Sequence, residues 1–277
     1  MLAEQYIVEG KLSEALAALQ DGVRKDPSSA KLRIFLFQLL AVLGSWDRAL
    51  TQLSVAGQLD AAALPMVQTY REAVQCEALR ADIFLGKRAP VVFGEPAPWI
   101  ALMIEAVRLD AAQQTQQAAA ARASAFESAP AVSGSIDGNR FAWIADGDGR
   151  LGPLLEAVVN GRYYWIPFDR IARIEIDAPV DLRDAVWMPA SFTWTNGGAT
   201  VGLIPTRYTD TIARNNPALS LARRTEWIDG ADGAAHGLGQ RMLVTDAADY
   251  PLMDIRLIEM DALVSALPPD AAALDHG

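Results

Sequence analysis

The sequence is poor in the side chains that most often carry out chemistry. It has one cysteine, Cys76, and two histidines, His236 and His276, among 277 residues. A single thiol cannot close a disulfide within the chain, which fits a reducing cytoplasm, and we interpret Cys76 as a small buried hydrophobe. These few residues also supply too few ligands for a zinc site and no Cys–His nucleophilic pair. We therefore predict no metal, no cofactor and no catalytic residue.

Positive charge and long apolar runs are scarce as well. Lys and Arg number 24 against 34 Asp and Glu, a net charge of −10. A surface of this sign repels nucleic-acid phosphates and anionic membranes, so we expect neither as a partner. No apolar run reaches the roughly 18 residues of a membrane span. Glu4, Glu9 and Glu14 stand where a signal peptide would carry basic and apolar residues. We expect a soluble cytoplasmic protein.

The motifs of common enzymes are missing or incomplete. No G-x-S-x-G elbow accompanies His236, and no P-loop or dinucleotide-binding glycine pattern occurs. The segment DGDGR alternates Asp and Gly like a calcium loop but departs from the EF-hand pattern at its fifth and sixth positions. We predict instead a turn in which Arg150 pairs with Asp146 or Asp148. The alternatives are a hydrolase with a site around His236, Arg207 and Asp146, and a self-assembling structural subunit.

The amino-terminal part contains an internal repeat with an offset of about 34 residues. EGKLSEALAAL repeats as LGSWDRALTQL, which aligns Gly10 with Gly44 and Ala15 with Ala49. Each glycine tolerates the left-handed turn that ends a helix, and each alanine lets paired helices approach closely. This pattern resembles the tetratricopeptide repeat. We predict a helical-repeat domain over residues 1–110.

The predicted third unit is one long helix from Leu64 to Leu85, followed by a capping helix from Trp99 to Leu109. Stacked helix pairs bury a continuous core and leave a concave face lined by the first helix of each pair. A mixed apolar and polar lining suits an amphipathic helix or an extended peptide. The predicted groove residues are Glu4, Ile7 and Val8 from the first unit, Lys31, Ile34, Gln38 and Val42 from the second, and Gln68, Glu72 and Gln75 from the third.

The rest of the chain predicts a helical linker and a β-rich domain. Residues 111–130 are rich in Ala and Gln, which favour helix. Residues 131–265 form short apolar runs between turn residues, so we predict mostly antiparallel strands and an α+β fold class, followed by a disordered tail at 266–277. LLEAVVNGRYYWIP predicts a hairpin that turns at Asn160-Gly161. Further strands are predicted at Phe141 to Ile144, Ile171 to Ile176, Trp187 to Trp194, Ala199 to Ile204, Arg241 to Thr245 and Met253 to Ile258.

One stretch carries a family resemblance. WIADGDGRLGPLLEAVVNGRYYWIPFDRIARIEIDAPVDLRDAVWMPA resembles the signature of the ImpE/TagJ accessory proteins of bacterial type VI secretion systems. The resemblance implies a non-enzymatic adaptor that binds the small sheath subunit, through its N-terminal helix, and thereby links it to the ClpV disassembly ATPase. The signature residues, structural or interfacial, are Trp143, Asp146, Asp148, Arg150, Gly152, Pro153, Glu156, Gly161, Tyr163, Trp165, Asp181 and Trp187, with Arg207 and Tyr208 downstream.

Overall fold

The computed structural model describes residues 2–231 and 233–261, so the predicted tail at 266–277 lies outside the described residues. A helical part is followed by a strand-rich part, which confirms the α+β class. Within the described part of the chain, no helix is both long and apolar enough to cross a membrane. The helices are α1 (Leu2–Val8), α2 (Leu12–Lys25), α3 (Ala30–Val42), α4 (Trp46–Leu59), α5 (Leu64–Phe84), α6 (Pro98–Ala111), α7 (Thr115–Ser128) and α8 (Pro217–Ser220).

The helical part contains the predicted repeat. Gly10 has a φ of 74° and Gly44 a φ of 66°, the left-handed conformation expected after the first helix of each pair. Ala15 and Ala49 are fully buried, as close helix contacts require. The long helix of the predicted third unit, α5, ends just before Gly86, which also has a positive φ. The sequence therefore predicted these four helices and α5 correctly.

The strand-rich part is built on one large sheet. Its nine strands follow the order β1-β6-β5-β9-β8-β7-β14-β2-β3, and all neighbours are antiparallel except β1 and β6. Two smaller sheets have the orders β13-β12-β4 and β10-β11. The strands are β1 (Val91–Val92), β2 (Gly134–Ile136), β3 (Asn139–Phe141), β4 (Ile144–Asp146), β5 (Leu154–Val159), β6 (Arg162–Pro167), β7 (Ile171–Ile176), β8 (Trp187–Trp194), β9 (Ala199–Pro205), β10 (Thr225–Asp229), β11 (Ala235–Gly239), β12 (Met242–Thr245), β13 (Asp249–Pro251) and β14 (Leu257–Met260).

The predicted hairpin is confirmed, while two predicted strands need correction. β5 and β6 pair through a turn in which Asn160 and Gly161 have φ values of 49° and 72°. The strand predicted from Phe141 to Ile144 falls on the break between β3 and β4, because the Ala142 N–H donates to the Asp246 carboxylate instead of a neighbouring strand. The strand predicted from Met253 begins within a 3-10 turn at Leu252–Asp254.

The helices and the large sheet share one hydrophobic core. Strand β5 is buried along its whole length, because Leu154 and Val158 face the helices while Leu155 and Ala157 face a second core behind the sheet. Strand β1 comes from the expected break before α6 and still pairs with β6. Helix α7, in the predicted linker, packs against α6 through buried alanines. The domain limits stay a prediction, and the two parts are joined by extensive contacts.

Candidate functional site

The centre of the signature is a buried carboxylate, Glu156, on β5. Its side chain is fully buried and accepts hydrogen bonds from Arg80 Nε at 2.6 Å and Arg80 Nη2 at 2.9 Å. The Tyr163 hydroxyl and Arg241 Nη2 also donate to it, and Trp165 Nε1 donates to the Tyr163 oxygen at 2.9 Å. Since Arg80 belongs to α5, this carboxylate is a charged cross-link between the helical part and the sheet.

A second buried carboxylate, Asp146, ends β4 and shares Arg241 with Glu156. It also accepts from the Tyr208 hydroxyl at 3.0 Å and from the Asp148 N–H at 2.8 Å. Burial raises the pKa of Asp146 to about 6, against the opposing effect of Arg241. Burial also acts to raise the pKa of Glu156, but Arg80 and Arg241 outweigh it and lower that pKa to about 2. Glu156 is therefore the firmly ionised member of the network.

The DGDGR turn is held by its own arginine. Asp148 accepts from the Arg150 backbone N–H at 3.0 Å and from Arg150 Nε and Nη2 at 2.9 and 2.6 Å. The other end of Arg150 binds Asp210 at 2.8 Å, and Asp148 also accepts from the Gly237 N–H at 3.0 Å. The predicted pairing of Arg150 with Asp148 is confirmed, and the turn fixes β11 to the region before β5.

Arg207 joins the two parts of the molecule through backbone carbonyls. Its guanidinium is buried and donates to the carbonyls of Val42 at 2.7 Å, Ala41 at 3.3 Å and Ser220 at 2.5 Å. These carbonyls lie at the ends of α3 and α8, where backbone acceptors lack helical partners and carry partial negative charge. Burial lowers the pKa of Arg207 to about 10, which still leaves it charged at neutral pH.

The remaining signature residues are mostly structural. Trp165 and Trp187 are fully buried, and a side chain at Gly152 would overlap the Phe126 ring of α7. The Pro153 carbonyl accepts from the Phe168 N–H at 3.2 Å. Trp143 differs, because 40% of it is exposed. Asp181 and Gly161 line clefts that are described below.

Sequence reasoning missed the network's cations, Arg80 and Arg241, and the carboxylate of Glu77. Glu77 accepts from Trp187 Nε1 at 2.9 Å and lies 3.5 Å from Arg80. A signal was present, since Arg80 follows the apolar residues Ala73 and Cys76 at helical spacing on α5. An arginine on a buried helix face needs hydrogen-bond acceptors opposite it, and a carboxylate is the strongest of them.

The hydrolase alternative relied on His236, Arg207 and Asp146, and each of these side chains has different hydrogen-bond or ion-pair partners. Asp146 and Arg207 are buried with the partners given above. His236 lies on β11 with Nε2 3.6 Å from the Asp110 carboxylate, and burial together with Arg150 lowers its pKa. Among the residues that the structure describes, no three His, Cys, Asp or Glu side chains are placed to hold a metal ion.

An open cleft of about 500 Å³ lies where the two parts of the chain meet beside α3, and we call it the α3 cleft. Helix α3 forms one wall, and the loop after β7 forms the other. It brings together four of the predicted groove residues and one signature residue, Asp181. The cleft is lined by Glu4, Lys31, Ile34, Phe35, Gln38, Asp60, Val180, Asp181 and Leu182.

The other predicted groove residues lie elsewhere, because α5 turns its inner face onto the sheet. Ile7 and Val42 are buried in the core and cannot contact a partner in this conformation. Val8 is exposed at the end of α1, and Gln68 and Gln75 are exposed on α5. Glu72 lines a second cleft of about 360 Å³, next to the turn at Asn160 and Gly161. The structure thus replaces one continuous groove with two separate clefts.

The charge state of Glu156 gives a pH-dependent prediction. Its folded-state pKa of about 2 lies below the ordinary value of 4.5, so its contribution is present above pH 4.5 and is lost as the pH falls towards 2. We expect the difference in unfolding free energy between wild type and Glu156→Gln to include a pH-dependent part of about 3 kcal/mol at pH 7. Urea titrations at pH 7, 5 and 3 should show that difference shrinking only below pH 4.5. Asp146, whose raised pKa changes stability with pH in the opposite direction, is present in both proteins, so its effect largely cancels in the difference between them. A difference that is constant with pH would contradict this assignment.

Together these features define a class of protein, a helical-repeat array fused through a buried charged network to an antiparallel β-rich part. A model of the ImpE protein family matches residues 138–259. The chain is 51% identical over 261 residues to the type VI secretion system accessory component TagJ of Pseudomonas aeruginosa PAO1, covering 94% of this chain and 92% of that protein. The chain belongs to this ImpE/TagJ family.

A solved structure shares the fold across both parts of the chain. The crystal structure of protein VPA1032 from Vibrio parahaemolyticus matches with a TM-score of 0.84 at 25% sequence identity. The match covers 94% of this chain and 98% of that one. The arrangement of helical array and sheet is therefore common to both proteins.

Proposed function

We propose that this protein is a non-enzymatic, cytoplasmic adaptor of a type VI secretion system. In this proposal the α3 cleft binds the N-terminal helix of the small sheath subunit and thereby links the sheath to the ClpV ATPase. The name of the 51% identical relative, an accessory component of such a system, supports the setting. The α3 cleft supports the mode of action, because it is an open, partly apolar site away from the buried charges.

The composition of the cleft fits one side of an amphipathic helix. Ile34, Phe35 and Leu182 are half-buried and give it an apolar floor. Among the lining residues, Glu4, Asp60 and Asp181 carry carboxylates and Lys31 carries a cation. A helix that places apolar side chains at positions i, i+3 and i+4, with basic side chains beside them, would match this lining.

The wall formed by the loop after β7 is fixed before any partner binds. Asp184 accepts from the N–H groups of Val180 at 2.7 Å and Asp181 at 3.0 Å. Arg183 pairs with Asp181, and its guanidinium lies 4.7 Å from the centre of the Tyr70 ring on α5. A wall held in this way loses little conformational freedom on binding, which favours affinity.

Calorimetric titration tests the proposal, with a synthetic peptide of the small sheath subunit's N-terminal segment as ligand. We expect saturable binding to the wild type that Ile34→Asp weakens at least about tenfold, because a carboxylate would be buried without a partner. Leu85→Asp is the matched control. Leu85 is an exposed leucine at the end of α5 that does not line the α3 cleft, so this variant should bind like the wild type.

Two outcomes would count against the proposal. No detectable heat at several temperatures would remove the peptide as the partner. Equal affinity of the wild type and Ile34→Asp would place the peptide outside the α3 cleft. Thermal melts of both variants must match the wild type, so that a loss of binding reports the contact and not the fold.

A further inference from the structure

The three-stranded sheet β13-β12-β4 has one buried face and one open face. Directly paired residues share a face, so Ile144 with Thr245 and Asp146 with Leu243 define the inner one, and all four are buried. On the outer face Ala145 pairs with Val244, and Val244 pairs with Asp249. We call this outer surface the Trp face. It comprises Ala145, Met242, Val244 and Asp249, with Trp227 packed beside Gly147. We include Trp143, which precedes Ala145 by two residues and so falls on the same side by strand alternation.

Two tryptophans are exposed at this surface, and packing contacts hold the ring of Trp227 in place. Trp227 comes from β10, and its ring centre lies 5.7 Å from that of Tyr208. A Cβ atom at Gly147 would lie 2.6 Å from the Trp227 ring, so the glycine leaves the space in which the indole packs against the sheet. Trp227 is 44% exposed and Trp143 is 40% exposed. Rigid aromatic side chains of this kind are the usual anchors of binding interfaces.

The chemistry of the open face differs from that of an ordinary solvated sheet. An antiparallel sheet with one wet face normally alternates apolar residues inside with polar residues outside. Here the outer residues of β4 and β12 are Ala145, Met242 and Val244, each half-buried. The charges beside them are acidic, with Asp249 on the same face and Asp229 on the same side of β10 as Trp227.

The charge of the Trp face indicates which kind of partner could bind there. The chain carries a net charge of −10, and the Trp face itself contains an acid and no base. A second copy would bring two acidic faces together, which costs free energy. Guanidinium and ammonium groups, in contrast, bind both carboxylates and the faces of indole rings.

We propose that the Trp face is a second docking site, for a segment of a partner protein that carries arginine or lysine beside apolar side chains. The cations stack on Trp143 and Trp227 and pair with Asp249, while the apolar side chains cover Met242 and Val244. This site is separate from the α3 cleft and does not depend on the function proposed for that cleft.

Nuclear magnetic resonance of the 15N-labelled full chain tests this proposal. The indole N–H signals are assigned with Trp143→Phe and Trp227→Phe, and the probe is a short blocked peptide of alternating arginine and leucine. We expect both indole signals to shift saturably with this peptide and not with its glutamate–leucine counterpart. Asp249→Lys should weaken binding about tenfold. Glu14→Lys, the same change of charge at an exposed position on α2, should not.

Several results would overturn the proposal. Unmoved indole signals, or equal shifts with both peptides, would remove the role of the cation. Shifts confined to residues of the α3 cleft would place the basic peptide there. Signals that broaden with protein concentration in the absence of peptide would identify a second copy as the occupant. Asp249→Lys changes only an exposed side chain, so its effect on binding can be read without a loss of fold.

Discussion

Replacing Glu156 with glutamine is expected to lower the unfolding free energy by about 3–5 kcal/mol. Glutamine has nearly the same shape but lacks the charge, so two buried cations, Arg80 and Arg241, lose the carboxylate that lies between them. The loss is a large share of the roughly 5–15 kcal/mol that a typical domain has. Urea unfolding at pH 7, followed by circular dichroism, measures it.

The control for this variant is Glu105→Gln. Glu105 makes the same type of ion pair, with Arg108 at 2.5 and 2.7 Å, but both side chains are solvent-exposed on α6. Water screens such pairs, so the unfolding midpoint should stay at the wild-type value. If Glu156→Gln behaved like Glu105→Gln, the buried network would not hold the two parts together.

Replacing Trp187 with alanine is expected to cost about 3–5 kcal/mol, because it opens a cavity in the shared core. Trp187 on β8 is fully buried, with its ring 5.9 Å from that of Trp46 and 5.8 Å from that of Tyr70. It also donates to Glu77 at 2.9 Å. The lost contacts are therefore between the sheet and helices α4 and α5.

A second substitution separates the two contributions of Trp187. Trp187→Phe keeps an aromatic ring but removes the donor to Glu77, so it should cost only about 1–3 kcal/mol. Trp143→Ala, at an exposed position, should change the unfolding free energy by about 0.5 kcal/mol or less. Thermal and urea unfolding of the three variants give the order. Equal costs for Trp187→Ala and Trp143→Ala would mean that the helices and the sheet do not share a core.

Local patterns predicted the local structure of this chain well. The helix ends at Gly10 and Gly44 and the turn at Asn160-Gly161 each depend on a positive φ that few residues tolerate, so their signal lies within the sequence itself. Strands β7 and β8 match their predicted limits for a similar reason, since buried and less buried residues alternate over 174–176 and 188–194. Short strands such as β2 and β13 carry too few residues to show any period.

The tertiary arrangement could not be predicted in the same way. The predicted groove included Val42. Its carbonyl accepts a hydrogen bond from Arg207, which is 165 positions away in the sequence, and the residues around Val42 give no sign of this contact. Arg80 and Glu156 are 76 positions apart, so their pairing depends on how α5 docks onto the sheet. Sequence reasoning named Val42, Arg207 and Glu156 but not Arg80. It missed both contacts, because a sequence pattern can show that a helix face is buried but not which residues cover it.

The buried signature residues and the residues that line the α3 cleft are largely different sets. Most signature residues are buried, and two of them, Glu156 and Arg207, connect the strand-rich part with α5 and α3. We infer that substitutions in the network act on binding through stability, whereas substitutions of Ile34 or Leu182 act on it directly. The Trp face is a second surface, and its exposed tryptophans, Trp143 and Trp227, take no part in the hydrogen bonds described for the buried network.

Hydrogen–deuterium exchange with and without a saturating amount of the sheath-subunit peptide tests the proposed binding site most directly. We expect slower exchange of α3 amides and of residues 180–182 together, because the two walls of the α3 cleft contact the same ligand. Amides of β5, already buried in the shared core, should be unchanged. Protection confined to residues outside the α3 cleft, with α3 exchanging as in the free protein, would contradict the proposal.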